Sequence, residues 1–271
     1  MNRSRPNSRS RWTERDEQVT VFAAEQWVLD FATVSLLCGT GRRRTYELIE
    51  RWRDEFAVLR SVSIFLDNAE REVTVVWPRP AVAAERLGYP VSSWKPTSSN
   101  LAHKLAVAKV RAALCGLETG LWVPERKLLR DAAIAAGQRP GAPILADRAD
   151  TVAATKQGIA RGHVHDGRYR YRGQWLSVEV ELTLKRPSRK RLADSVFNAY
   201  QRARQFGDGL LYLYGSKRIG DALERVVVDD LIKPGRIGAE PDIRLRSLTR
   251  VIEDRSIDLP TAPTRKEDRA R

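Results

Sequence analysis

The sequence predicts an α/β protein, α+β overall, in which a small helical module closed by a β-hairpin precedes a larger mixed α/β sheet. Three observations predict it. The first third of the chain runs as three helical stripes followed by two alternating segments. Residues 175–185, WLSVEVELTLK, alternate apolar and polar positions with the period of a strand. After them comes a helical stripe, then the nearly continuous apolar run LLYLY, which suits a buried strand.

Composition narrows the class. The chain has 271 residues, enough for one large or two small domains. Lys and Arg number 48 against 34 Asp and Glu, a formal net charge of +14. Most of the positive charge is arginine, whose guanidinium fork matches phosphate, so DNA is the expected partner. The weaker alternative, an anionic membrane surface, lacks a basic amphipathic helix with bulky apolar residues. No stretch reaches the ~18 apolar residues of a membrane span, and the N-terminus has no apolar secretory core, so a cytoplasmic protein is expected. Cys38 and Cys115 share no metal or redox spacing and read as small core residues.

Taken in order, residues 1–11 read as a disordered basic arm. A helix begins after Thr13, whose hydroxyl can cap it with Asp16 three positions on. Val19, Phe22, Ala23 and Trp27 form its stripe. A short helix fits residues 32–37, Gly39-Thr40-Gly41 turns the chain, and a third helix runs from Arg42 to about Asp54 with Tyr46, Ile49 and Trp52 inward. Segments 57–66 and 72–77 form a hairpin. Three helices and a hairpin are the layout of a winged helix, here residues 12–88. Its third helix would offer Arg42, Arg43, Arg44 and Thr45 to DNA.

Proline-rich residues 89–99 read as a linker, and a long helix follows from Asn100 with a wide apolar surface. His103 near its start reads as a hydrogen-bonded structural residue. Pro124 suits a first helical position and Glu125 a first turn. Residues 137–158 read as a loop. In HVHDG, the pair His163 and His165 is a weak zinc signal without a third nitrogen or sulfur ligand, and Gly167 is expected to let the chain turn. YRYRG then leads into the alternating strand. Beyond it lie the basic run KRPSRKR, a helix over 188–206, LLYLY, a helix over 217–224, a strand at VVV (226–228) and an edge strand over 243–248. This second domain spans residues 100–250, and residues 251–271 read as a disordered charged tail.

On the strand of 175–185, Glu179 and Glu181 share the polar face, roughly 6.5–7 Å apart along the backbone. With Asp166 just upstream they can hold a divalent metal on oxygen ligands. The plainer reading is a solvated strand face with a Glu–Lys pair.

Several stretches together resemble the replication-relaxation family of actinobacterial plasmids, phages and integrative elements: WPRPAVAAERLG, AHKLAVAKVRAAL, WVPERKLLR, HVHDG, and VEVELTLKRPSRKRL followed by a tyrosine-containing helix and LLYLY. That resemblance implies a DNA-associated role in replication, transfer or relaxation. The second half also resembles the PD-(D/E)xK nuclease fold, with Glu125, Asp166 and Glu179 at the acidic positions in order. Glu181 stands where that motif has lysine, and Lys185 lies four residues on. The resemblance implies Mg²⁺ or Mn²⁺ on Asp166 and Glu179, with Glu181 completing the site and Glu125 reaching a second metal. Lys185, or an arginine of the 186–191 cluster (Arg186, Arg189, Lys190, Arg191), would face the phosphate.

Two functions from different classes follow. One is a metal-dependent nuclease or nickase aimed by the winged helix. The other is a DNA-binding protein that keeps a nuclease-like domain as a scaffold without chemistry. A regulator that dimerises through its sheet edge or the 188–206 helix stands third. A tyrosine relaxase fits less well, since Tyr46 and Tyr200 fall on apolar stripes and no three-histidine cluster accompanies them in sequence.

Overall fold

The computed structural model describes residues 11–65, 72–91, 93–137, 163–183 and 189–258. Among these residues the fold is mixed α/β, with nine α-helices, a three-stranded antiparallel sheet and a five-stranded mixed sheet. The expected basic arm, apart from Arg11, and the 137–158 loop, apart from Gly137, fall outside the described residues.

Helix α1 (Glu14–Gln26) starts on the capping box read from the sequence. The Thr13 N–H and hydroxyl donate to Asp16 Oδ2 at 2.9 and 2.7 Å. Asp16 also reaches across the module. Fully buried, it accepts from Trp52 Nε1 at 2.8 Å and from Arg51 Nη2 at 2.8 and 2.9 Å. Helix α2 (Phe31–Cys38) ends on Gly39 in the left-handed region, φ 60°, and α3 (Arg42–Glu50) follows. The third helix does not run regularly to Asp54; residues 51–55 form a π-helical turn, with Trp52 buried inside it. Strands β1 (Leu29–Asp30), β2 (Leu59–Phe65) and β3 (Glu72–Pro78) form the small sheet in the order β1-β3-β2. Val19, Phe22, Leu48, Ile49, Trp52 and Leu59 fill the space between helices and hairpin. Helix α4 (Pro80–Leu87) closes this part, with proline at its start.

Helix α5 (Ser98–Cys115) explains its own wide apolar surface, because it serves three clusters. Leu101 and Leu105 pack with Trp27, Val28, Val75 and Trp77. Ala108 and Ala112 enter the helical core beside Val19 and Phe22. Ala106, Val107 and Val110 lie on the large sheet. Polar ties reinforce the joint: Lys109 pairs with Asp30 at 2.7 Å, Arg111 with Glu25, and Trp27 Nε1 donates to Glu125 at 2.9 Å. The buried Arg126 guanidinium stacks 3.8 Å from the centre of the Trp27 ring.

The large sheet comprises β4 (Trp122–Pro124), β5 (Gly167–Tyr171), β6 (Gln174–Glu181), β7 (Gly209–Tyr214) and β8 (Ile243–Ser247), in that spatial order. β4, β5 and β6 are antiparallel; β6, β7 and β8 are parallel. The carboxylate strand β6 is therefore central and β8 is an edge, as expected. Helix α6 (Glu125–Ala135) follows β4 directly, with Pro124 as its cap. Helix α7 (Arg189–Gln205) is the crossover from β6 to β7, and α8 (Lys217–Arg225) follows β7. Leu176, Val178, Val180, Leu211 and Leu213 face α5 and helix α9 (Leu248–Asp254). Leu210 and Tyr212 face α7 and α8.

Four further expectations are corrected. Residues 226–228 are not a strand but part of a π-helical stretch, 226–232, continuing from α8. Ile219, Leu223, Val226, Val227 and Leu231 form one buried helical stripe, and that packing overrides the β-propensity of three valines. β6 ends at Glu181, short of Lys185. Residues 251–258, expected in the tail, are folded, with Val251 and Ile257 buried against the sheet; the rest of the expected tail lies outside the described residues. Gly167 opens β5 without a left-handed turn; it is small because the Trp122 indole lies where a Cβ would stand.

Candidate metal centre and nucleic-acid interface

The hairpin β5–β6 builds the centre. Its ladder runs from Tyr171↔Gln174 to Gly167↔Val178. Carried one pair further, it sets Asp166 opposite Glu179, and the Asp166 N–H donates to Val178 O at 3.0 Å. The two carboxylates that the sequence singled out are therefore neighbours on adjacent strands, near the middle of the sheet.

Their partners are histidines, and the chain has three in all. His163 Nε2 and His165 Nδ1 lie 2.7 and 2.6 Å from the same oxygen, Glu179 Oε1. His103, from α5, puts Nε2 at 2.7 Å from Asp166 Oδ1. Asp166 Oδ2 accepts from the Val180 N–H at 2.9 Å. His103 thus has the structural hydrogen bond expected of it, to a residue of the site itself.

Burial raises the pKa of Glu179, but the hydrogen bonds from His163 and His165 outweigh it and hold the carboxyl well below its ordinary range. For His163, burial lowers the pKa, but the hydrogen bond and charge of Glu179 raise it further. Burial likewise acts against protonation of His103, and the charge of Asp166 prevails. Tyr212, paired with Glu179 across β6–β7, is 2% exposed. Burial, then the charges of Glu179, Glu181 and Asp166, push its pKa well above 10.0, so its hydroxyl stays protonated beside three carboxylates.

His163, His165 and Glu179 each offer one ligand atom, all within 4.8 Å of one another. The donor set differs from the expected one. Asp166 is not part of this group; its oxygens lie on His103 Nε2 and the Val180 N–H. Two imidazoles and a carboxylate do not make the all-oxygen shell that Mg²⁺ requires. Glu125 is held by Trp27 and Lys104 at the joint of the two parts, a structural position. Glu181 ends β6 close enough to act on Tyr212. Lys185 and Arg186 lie outside the described residues.

The sequence reading passed over His163 and His165 because it looked for a third nitrogen or sulfur, whereas the third ligand atom that could join them is a carboxylate oxygen of Glu179. The signal was present in the register, which brings the residues just before Gly167 alongside Glu179.

On the other part, Arg42, Arg43 and Arg44 are exposed along the first turn of α3. Arg43 and Arg44 both contact Glu47, at 3.1 and 2.9 Å. Thr45 is turned inward; fully buried, its hydroxyl lies 2.9 Å from that of Thr40 and 3.1 Å from Gly41 O. It fixes the turn into the helix, while the arginines face outward. At the start of α7, Lys190 and Arg191 are exposed, whereas Arg189 is engaged by Asp229 and Asp230 at 3.1 and 2.7 Å.

Comparison of the chain with family models, curated proteins and solved structures yields no match. Among the described residues, no helix is long and apolar enough to cross a membrane.

Proposed function

We propose that this chain binds DNA through its helical module and hydrolyses phosphodiester bonds at the β5–β6 centre. The supporting observation is the convergence of Asp166, Glu179 and all three histidines in the middle of a sheet built as an antiparallel meander, a crossover helix and a parallel strand. A divalent ion held there would polarise a phosphate and help ionise a water. The chain's own residues do the rest. His103 and the Val180 N–H fix the Asp166 carboxylate in one orientation. Tyr212 presents a protonated hydroxyl beside the carboxylates. Lys190 and Arg191 at the start of α7 supply positive charge for the DNA backbone. Arg42, Arg43 and Arg44 are the contacts of the helical module.

A second reading, DNA binding without chemistry, draws on two features. Asp166 has both oxygens occupied, and Glu181 stands where the PD-(D/E)xK motif carries lysine.

The test is cleavage of supercoiled and linear DNA with Mg²⁺, Mn²⁺, Zn²⁺ or EDTA, comparing wild type with Glu179→Gln and Asp166→Asn. The expected result is metal-dependent nicking or cutting, lost by 10²-fold or more in both variants, with DNA affinity nearly unchanged. Binding without cleavage in any metal establishes the second reading. Binding itself is read from its salt dependence: Arg43→Ala should lower the slope of log K against log[salt] by about 1.

A further inference from the structure

We infer that His163, His165 and Glu179 bind a first-row transition ion of the Zn²⁺ class, in preference to Mg²⁺. The inference deepens the proposed function and rests on it only for the chemistry that the ion would serve.

Buried acids elsewhere in the fold are paired with Arg or Lys: Asp16 with Arg51, Asp208 with Arg168 and Asp30 with Lys109, as is the half-buried Glu25 with Arg111; within the centre, Asp166 is paired with His103. Basic residues are abundant in this sequence, 48 Lys and Arg. Yet among the described residues Glu179 has no Arg or Lys at ion-pair distance, only two imidazoles on one oxygen. Imidazoles in that place suit a metal site, because neutral imidazole is a ligand and guanidinium is not.

The donors also converge: one ligand atom from each of His163, His165 and Glu179 lies within 4.8 Å of the others. The two histidine rings stand nearly edge to face, 5.0 Å between centres, so nitrogens from both converge on the same carboxylate. Two nitrogens and one oxygen leave further positions open to water or to a substrate oxygen, as in catalytic rather than structural zinc sites.

The experiment uses the full chain, stripped of metal with a chelator and titrated with Co²⁺ while its visible absorption is followed. Zn²⁺ and Mg²⁺ then compete. The expected result is one Co²⁺ per chain, displaced by one equivalent of Zn²⁺ and retained against a 100-fold excess of Mg²⁺. Glu179→Gln and the partly exposed His163→Asn, each checked for native circular dichroism, should weaken uptake by more than about 10-fold, since losing a ligand costs at least as much as losing its hydrogen-bond partner. Absence of stoichiometric uptake, displacement by Mg²⁺, or unchanged uptake in both variants would overturn the assignment. DNA cleavage is scored separately. Uptake without cleavage keeps the metal centre and sinks the nuclease reading; Mg²⁺-driven cleavage with no Co²⁺ uptake does the reverse.

Discussion

Asp16 shows how much one side chain can organise. Its carboxylate closes the α1 cap and accepts from Arg51 and Trp52, more than thirty residues away. Burial opposes its charge, but hydrogen bonds from Thr13 and Trp52, with the charge of Arg51, hold its pKa below the ordinary 3.8. Removing one partner of a buried pair leaves the other charge uncompensated. Asp16→Ala should therefore cost about 3–5 kcal/mol in urea unfolding at pH 7. Because the folded pKa is depressed, this stability is present above pH 3.8 and is lost as pH falls through the lower folded value. The gap between wild type and variant should then be constant near neutrality and narrow in acid. A gap that widened below pH 4 would contradict this account of Asp16.

At the scale of elements, most of the fold could be read from local pattern: the capping box of α1, the hairpin, the alternation of β6, the stripe of α7. What local pattern could not give was packing between distant segments. The valines of 226–228 have strand propensity, and only the stripe begun by Ile219 and Leu223 makes them helical. His103 lies 63 residues from Asp166, so no spacing rule could join them. Glu125 looked like a catalytic acid by its order in the chain, yet its position against Trp27 and Lys104 depends on how α6 meets α1 and α5. Gly167 belongs to the same class. Its role is set by Trp122 on β4, paired across the sheet through Tyr169. Gly167→Ala should destabilise the protein by about 1–3 kcal/mol through overpacking, measured by denaturant unfolding. It should also weaken any metal uptake, because Asp166 and His165 precede it directly. A neutral effect on stability would mean that the indole can move aside.

At the scale of the whole molecule, α5 is the member shared by both parts. A fragment ending in the proline-rich stretch would leave the helical module without Leu101, Leu105, Ala108 and Ala112, four residues of its own packing. Expressed alone, residues 11–97 should be poorly soluble and lack cooperative unfolding, whereas residues 11–118 should unfold cooperatively. Equal behaviour of the two fragments would show that α5 is dispensable to the module. The same sharing bears on geometry along a duplex. Under the proposed function, the groove-reading arginines and the carboxylates of β5–β6 ride on one continuous framework instead of two bodies on a tether. The broken phosphate would then fall at a constant phase of the double helix relative to the contacted groove, and the positions of strand breaks along a mapped site would be sharp.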